Sequence, residues 1–240
     1  MSPDRRTSGG FTMLELMIAV TILSGILLAI ALVLQSTGEV ATIEAARNEI
    51  ERANQDALDR MALDLRDSAV RVTQVAANGS SVRFQIPVDL NGNNTVLDNA
   101  GIIEFGFVDA AGAPQAGTIT YRFVQGVRGG QPDVLDEAAL RVDFNNDGDI
   151  TDRYSRGYLV RVTQVTGGPE LVNPVRVGIW VAQRDGALGA DITGDGQPDP
   201  IFQMDAANNR LLVNLWGIHL DENKNRHFVR SSSSIFLRNR

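Results

Sequence analysis

Three polar segments of the sequence place oxygen-bearing side chains at alternate positions. They read DLNGNNTVLD at 89–98, DFNNDGDITD at 143–152 and DITGDGQPD at 191–199, and DENKN at 221–225 repeats part of the pattern. Alternate residues of a tight loop point to one side, which gathers their oxygens around one point. The candidate ligands are Asp89, Asn91, Asn93 and Asp98 in the first segment, Asp143, Asn145, Asp147, Asp149 and Asp152 in the second, and Asp191, Thr193, Asp195 and Asp199 in the third.

This pattern is typical of calcium sites, because calcium is a hard cation that takes about six to eight oxygen ligands. Gly148 stands at the sixth position of the second segment, where a sharp backbone turn is needed. The twelfth position carries a bidentate glutamate in helix–loop–helix sites, but here it holds Ala100, Tyr154 or Phe202. We therefore expect calcium loops between strands, each closed by its later aspartate. The competing interpretation is ordinary Asn-Gly and Asp-Gly turns.

Catalytic chemistry has little support in the sequence. The chain has no cysteine, which excludes a disulfide framework, a thiolate nucleophile and a cysteine-based zinc site. Neither His219 nor His227 has a partner at metal-ligand spacing, and neither a G-x-S-x-G motif nor a glycine-rich phosphate loop occurs. The net charge of −7 argues against nucleic acid as a partner, because phosphate binding requires a basic face. We expect a protein that is not an enzyme.

The segments that must position the loops are predicted to be β-strands. From residue 70 onward, runs rich in Val, Ile, Phe and Tyr alternate with clusters of Gly, Pro, Asn and Asp. The expected strands are 70–75, 82–88, 102–108, 118–124, 139–142, 158–165, 175–182, 211–219 and 228–237. Trp180 and Trp216 fall within apolar runs, so we expect both in the core. His227 is expected in a polar turn.

An apolar stretch, 16–34, precedes this region and contains neither charge nor proline. A helix that rises about 1.5 Å per residue needs about 20 such residues to cross a membrane. The sequence therefore predicts a membrane span. Arg5 and Arg6 precede the span and Glu39 and Glu44 follow it, so we expect the N-terminus to start in the cytoplasm.

Residues 35–69 continue the helical pattern but become amphipathic, and no glycine or proline interrupts 39–78. The apolar positions, spaced by seven or four, are Ile43, Ile50, Ala57, Met61 and Leu65. We therefore predict an α+β fold in which one helix runs from Phe11 to about residue 68. Its first half spans the membrane and its second half packs on a β-rich head. A free-standing coiled coil is the alternative, but the stripe is alanine-rich and irregular.

Glu15 is a lone carboxylate at the mouth of the apolar stretch, where an unpaired charge costs roughly 3 kcal/mol. A cut between Gly10 and Phe11 would create an α-amine one helical turn from Glu15, which could pair with its carboxylate. In an assembly, the amine of a neighbouring subunit could pair with the same carboxylate. A secretory signal fits less well, because its small-residue site at 29–31 lies inside the apolar stretch. A plain single-pass anchor is the other alternative, and it leaves Glu15 unexplained.

The N-terminal sequence RRTSGGFTMLELMIAV resembles the class III signal of type IV pilins and of the pseudopilins of type II secretion. The resemblance implies that a prepilin peptidase cuts after Gly10 and that Phe11 becomes the methylated N-terminus. It also implies that Glu15, the fifth mature residue, registers subunits during assembly. The stretch RANQDALDRMALDLRDSAV and the C-terminal FVRSSSSIFLRNR are similar to J-type pseudopilins and PilW-like minor pilins. Unlike many major pilins, the span lacks a proline.

The resemblance implies a structural subunit of a pilus or pseudopilus, with a head whose size favours a tip or priming position. Its expected partners are prepilin peptidase, other pilin or pseudopilin subunits and the inner membrane, which the chain crosses once with a periplasmic head. The alternatives are a calcium-dependent adhesin at a pilus tip and a membrane-anchored enzyme. The expected domains are a leader (1–10), a transmembrane and assembly helix (11–34), its amphipathic half (35–69) and the head (70–240).

Overall fold

A computed structural model describes residues 12–141, 143, 148, 150–151, 153–182, 199–220 and 226–238 of the chain. The chain divides into two compact units, Met1–Ala46 and Arg47–Arg240. The first unit contains the beginning of a long helix. The second contains the rest of that helix and a β-rich region, so the fold class is α+β.

Helix α1 spans Met13–Arg66 without interruption, in agreement with the helix predicted through this region. Its first part, Met13–Gln35, has a mean hydropathy of 2.8 and is long and apolar enough to cross a membrane. The hydroxyl groups of Thr21 and Ser24 donate to backbone carbonyls one turn earlier, each at 2.8 Å. These two polar groups are therefore satisfied within the helix, as an apolar surrounding requires.

Within the described residues, the second unit contains fourteen strands, one short helix and two 3-10 turns. The strands are β1 (Gln74–Val75), β2 (Ser81–Phe84), β3 (Ile86–Pro87), β4 (Phe105–Val108), β5 (Pro114–Gln115), β6 (Gly117–Gln125), β7 (Val127–Arg128), β8 (Gln131–Pro132), β9 (Val134–Asp136), β10 (Arg153–Val165), β11 (Glu170–Ala182), β12 (Phe202–Asp205), β13 (Arg210–Leu220) and β14 (Arg226–Phe236). Helix α2 is Glu137–Leu140, and the 3-10 turns are Val70–Val72 and Ala206–Asn208.

Nine of these strands form one sheet in the order β1-β2-β6-β10-β11-β13-β12, to which β9 and β14 are joined, and all of its pairings are antiparallel. Val213 of β13 pairs with both Phe202 of β12 and Ser233 of β14, so β12 and β14 lie on opposite edges of β13. The N–H of Phe202 donates to the carbonyl of Gly79 at 2.9 Å. This bond joins β12 to the β1–β2 turn, so the sheet curls until these two parts meet.

The core of the second unit contains one face of α1 together with residues of the curled sheet. Four apolar α1 residues are at most 2 % exposed, namely Ala57, Leu58, Met61 and Leu65. They belong to one buried cluster with Val82, Phe84, Ile119, Tyr121, Leu159, Leu211, Val213, Leu215 and Ile235. Burial of each large apolar side chain contributes about 1.5–3 kcal/mol. Ala57, Met61 and Leu65, three positions of the predicted stripe, are therefore confirmed as buried. The prediction for Trp216 is also confirmed, because this residue is 6 % exposed. The side chain of Trp180 lies outside the described part of the structure.

A second set of contacts between α1 and the strands is polar. The carboxylate of Asp64 accepts hydrogen bonds on Oδ2 from the hydroxyl of Tyr121 at 2.7 Å and from Nε of Arg161 at 2.6 Å. Burial, followed by the nearby Asp64 carboxylate, raises the pKa of Tyr121 above its ordinary value. The fully buried Asn54 donates to the hydroxyl of Ser231 at 3.2 Å. These bonds fix the rotation of this part of α1 against three different strands.

The prediction of a strand over 139–142 is wrong for the residues that the structure describes there, 139–141, because Glu137–Leu140 forms a single helical turn. Oδ1 of Asp136 caps this turn by accepting the N–H of Ala139 at 3.1 Å. Glu137 is fully buried and accepts a hydrogen bond from the hydroxyl of Tyr154 at 3.2 Å. The cap and this long-range bond outweigh the apolar run that suggested a strand.

Further differences concern where the strands begin. The predicted strand 70–75 begins as a 3-10 turn, and the predicted strand 102–108 begins only at Phe105. The second difference has a local cause: Oδ1 of Asp98 accepts the N–H of Ile102 at 2.8 Å, which removes that residue from the ladder. The prediction of a turn at His227 is wrong, because its Cα pairs with that of His219 within the β13–β14 ladder.

Candidate functional site

The start of α1 is fixed by reciprocal hydrogen bonds between Thr12 and Glu15. Thr12 donates its backbone N–H to Oε2 of Glu15 at 2.9 Å, and Glu15 donates its backbone N–H to Oγ1 of Thr12 at 3.2 Å. The Thr12 hydroxyl also donates to Oε2 at 3.0 Å. This arrangement is a capping box, which satisfies two N–H groups that a helix start otherwise leaves open. The sequence signal for a capping box is Thr-x-x-Glu before an apolar run, and Thr12 to Glu15 match it.

The capping box leaves one oxygen of Glu15 for another partner. Among the described residues, no hydrogen bond reaches Oε1, and Glu15 is exposed. The partial positive charge of the helix start favours an anionic group here. Glu15 can therefore cap the helix and bind an ammonium group at the same time. The predicted processing residues Gly10 and Phe11 lie outside the described part of the chain.

The first acidic loop, 89–98, is described throughout, and Asp89 organises its first half. Oδ1 of Asp89 accepts the N–H groups of Gly92 at 2.7 Å and of Asn93 at 3.1 Å, and Oδ2 accepts the N–H of Asn94 at 2.7 Å. Asn94 has a left-handed backbone with φ 61°. Both carboxylate oxygens of Asp89 therefore hold the turn together.

The side chains in the middle of this loop converge on the carbonyl oxygen of Leu97. Nδ2 of Asn91 donates to it at 3.4 Å, Nδ2 of Asn93 at 2.9 Å and the hydroxyl of Thr95 at 3.2 Å. A cation at this point would need the amide oxygens of both asparagines to turn inward. These oxygens now accept the N–H groups of Asn93 and Thr95, each at 2.9 Å. Cation binding must therefore compete with the hydrogen bonds that close the loop.

The second loop, 143–152, shares one feature with the first. Oδ2 of Asp143 accepts the N–H of Gly148 at 2.9 Å, which is the same first-to-sixth bond that joins Asp89 to Asn94. Gly148 has φ 95°, so the sixth position is left-handed in both loops. The predicted ligands Asn145, Asp147, Asp149 and Asp152 lie outside the described residues.

The third loop, 191–199, is described only at its last position, Asp199, and the predicted ligands Asp191, Thr193 and Asp195 lie outside the description. Within the described residues, no three histidine, aspartate or glutamate side chains are grouped closely enough to hold a metal ion. In the described part of the loops, the polar side chains form hydrogen bonds that stabilise turns.

Comparisons with known proteins gave no match. No family model matches the chain, and neither the curated proteins nor the solved structures contain a significant match.

Proposed function

We propose that the chain is a structural subunit of a type IV pilus or of a type II secretion pseudopilus, and that it is not an enzyme. The observation that carries this proposal is the helix start. A capping box between Thr12 and Glu15 opens an apolar stretch, Met13–Gln35, directly after the Gly10-Phe11 pair that resembles a prepilin cleavage site. Each part occurs in other proteins, but their order and spacing agree with the pilin signal.

In this proposal, prepilin peptidase removes residues 1–10 and methylates the α-amine of Phe11. The chain is held in the inner membrane by the Met13–Gln35 part of α1, with its head in the periplasm. During assembly, Oε1 of Glu15 binds the α-amine of Phe11 or that of a neighbouring subunit, and the helices of adjacent pilin-type subunits pack in parallel. A charge at membrane depth is then neutralised in the fibre.

The second half of the helix belongs to the head in this proposal. The burial of Ala57, Met61 and Leu65 in the core supports this arrangement, because a subunit extracted from the membrane must transmit force from helix to head. A minor subunit at the tip or in the priming complex agrees with a head of this size. We also propose that the acidic loops bind calcium, which would brace them in a chain that has no disulfides.

Mass spectrometry of the full chain, produced with and without a prepilin peptidase, tests the central step. We expect the processed chain to begin at Phe11 and to carry one additional methyl group on its α-amine. A Gly10→Val variant should remain unprocessed although its apolar helix is unchanged. Processing at any other bond, or equal processing of the variant, would refute the proposal.

A further inference from the structure

Two exposed turns of the head carry the sequence Asn-x-Ser/Thr, which is the acceptor motif for N-linked glycosylation. They read NGS at 78–80 and NNT at 93–95, and the motif occurs nowhere else in the chain. Asn78 and Asn93 are both exposed. Because the motif is short, the geometry of each asparagine side chain decides whether it can accept a sugar.

The first motif lies at the tip of the β1–β2 hairpin. Gly79 donates its N–H to the carbonyl of Ala76 at 2.8 Å, and its backbone is left-handed with φ 62°. The carbonyl of Gly79 accepts the N–H of Phe202 at 2.9 Å. These two bonds fix the backbone that follows Asn78 and leave the Asn78 side chain exposed at the tip.

In both motifs the asparagine forms the same turn with the third residue. Oδ1 of Asn78 accepts the N–H of Ser80 at 3.1 Å and its hydroxyl at 2.7 Å. Oδ1 of Asn93 accepts the N–H of Thr95 at 2.9 Å and its hydroxyl at 2.7 Å. Since a backbone N–H donates to each Oδ1, the second atom of each amide is the nitrogen. Two donors on the oxygen also polarise the amide, which makes a proton of Nδ2 easier to remove.

The two amide nitrogens differ in what they contact. Nδ2 of Asn93 donates to the carbonyl of Leu97 at 2.9 Å, within the loop 89–98. Among the described residues, the hydrogen bonds of the Asn78 side chain all involve Oδ1, so its Nδ2 has no acceptor. A nitrogen that forms a bond to a sugar must be free to approach it. Asn78 meets this condition, whereas Asn93 would first lose the bond to Leu97.

We propose that Asn78 is an N-glycosylation site. In the reaction, which a glycosyltransferase carries out, Nδ2 of Asn78 forms a bond to the anomeric carbon of an activated sugar diphosphate. The bond between that carbon and the phosphate oxygen breaks, and its electron pair leaves with the diphosphate. One proton of Nδ2 passes to a base of the transferase. The site uses none of the residues proposed above for assembly or for calcium binding.

Peptide mass spectrometry of the full chain, purified in detergent from the cells that naturally produce it, tests this proposal. Trypsin cuts after arginine, so the two motifs fall in separate peptides, 72–83 and 84–122. We expect sugar on the first peptide, located at Asn78 by fragmentation that keeps the sugar attached, and an unmodified second peptide. An unmodified first peptide, a sugar on one of its serines, or equal modification of Asn78 and Asn93 would overturn the proposal.

Variants of Ser80 test whether the motif itself is recognised. S80A keeps Asn78 but removes the hydroxyl that the motif requires, so we expect the 72–83 peptide to lose its sugar. S80T keeps a hydroxyl and is the matched control, which should be glycosylated normally. N93Q should leave the modification of Asn78 unchanged. A sugar on Asn78 of S80A at the wild-type level would contradict the proposal. If S80A does not fold, the comparison of the two wild-type peptides decides alone.

Discussion

Glu15 has two separable properties at the residue scale, a negative charge and an acceptor that caps α1. Its Oε2 accepts the capping hydrogen bonds from Thr12. Within the described residues no hydrogen bond reaches Oε1, which can therefore accept a bond from another group. An alanine at this position would remove both properties together. Such a variant alone cannot distinguish a role in subunit assembly from a role in starting the helix.

We therefore expect E15Q to insert into the membrane with a normal helix but to fail to enter fibres. Glutamine keeps the capping box, because its amide oxygen accepts the same bonds, but it cannot neutralise an ammonium group. T12V is the matched control, because it removes a cap worth about 1 kcal/mol and keeps the charge. Fibre incorporation, measured by immunoblotting of sheared fibres, should be lost in E15Q and only reduced in T12V. Normal incorporation of E15Q would exclude the charge-based role.

The acidic loops make a second prediction at this scale. We expect EDTA to lower the melting temperature of the full chain in micelles, and calcium to restore it. Calcium at about 100 times its Kd adds about 2.7 kcal/mol per site, which corresponds to a shift of roughly 5–10 °C for a protein of this size. D143A should remove part of the response.

Asp109 offers the control for the calcium experiment. It also organises a turn, where hydrogen bonds from Ala113 and from Gln115 lower its pKa, but it is not a proposed ligand. D109N should therefore reduce stability without changing the shift caused by calcium. An identical melting curve with EDTA and with calcium would mean that the loops are turns only, as the closed hydrogen bonding of 89–98 allows.

At the scale of elements, Asp64 joins α1 to β6 and β10 through one carboxylate oxygen. We expect D64A to lower the free energy of unfolding by about 2–3 kcal/mol, because it leaves the hydroxyl of Tyr121 and the guanidinium of Arg161 without their acceptor. D64N retains an acceptor and should cost about half as much. Urea denaturation of the two variants measures this difference. Equal losses would show that the charge, and not the acceptor, carries the interaction.

The elements differ in how well their sequences predict them. The stripe Ala57, Met61 and Leu65 was predictable because a helical face repeats every three or four residues, and the long strands because their residues alternate. Helix α2 was not predictable, because its cap at Asp136 is local but Glu137 accepts its hydrogen bond from Tyr154, which lies in strand β10. The Asp64 contacts were also hidden, because their partners lie 57 and 97 residues away. The capping box of Thr12 is local, so the Thr-x-x-Glu spacing alone is enough to predict it.

At the scale of the whole molecule, the division into Met1–Ala46 and Arg47–Arg240 does not coincide with the end of α1 at Arg66. The apolar surface of the first unit is exposed from Met13 to Leu34. In the second unit, one face of the helix, with Ala57, Met61 and Leu65, instead lies in the core. The boundary between the exposed apolar stretch and the residues that are buried in the core of the second unit therefore lies inside one continuous helix.

This boundary predicts how the chain tolerates truncation. A fragment 47–240 should be soluble without detergent, because it loses the exposed apolar stretch and retains every buried residue of the core. A fragment 67–240 lacks Leu58, Met61 and Leu65, whose burial together contributes about 4.5–9 kcal/mol, comparable with the whole stability of a typical domain. We expect it to aggregate or to unfold, as measured by circular dichroism and size-exclusion chromatography. If 67–240 instead melted at the same temperature as 47–240, the second half of α1 would be dispensable to the head, and its proposed role in coupling head to fibre would fail.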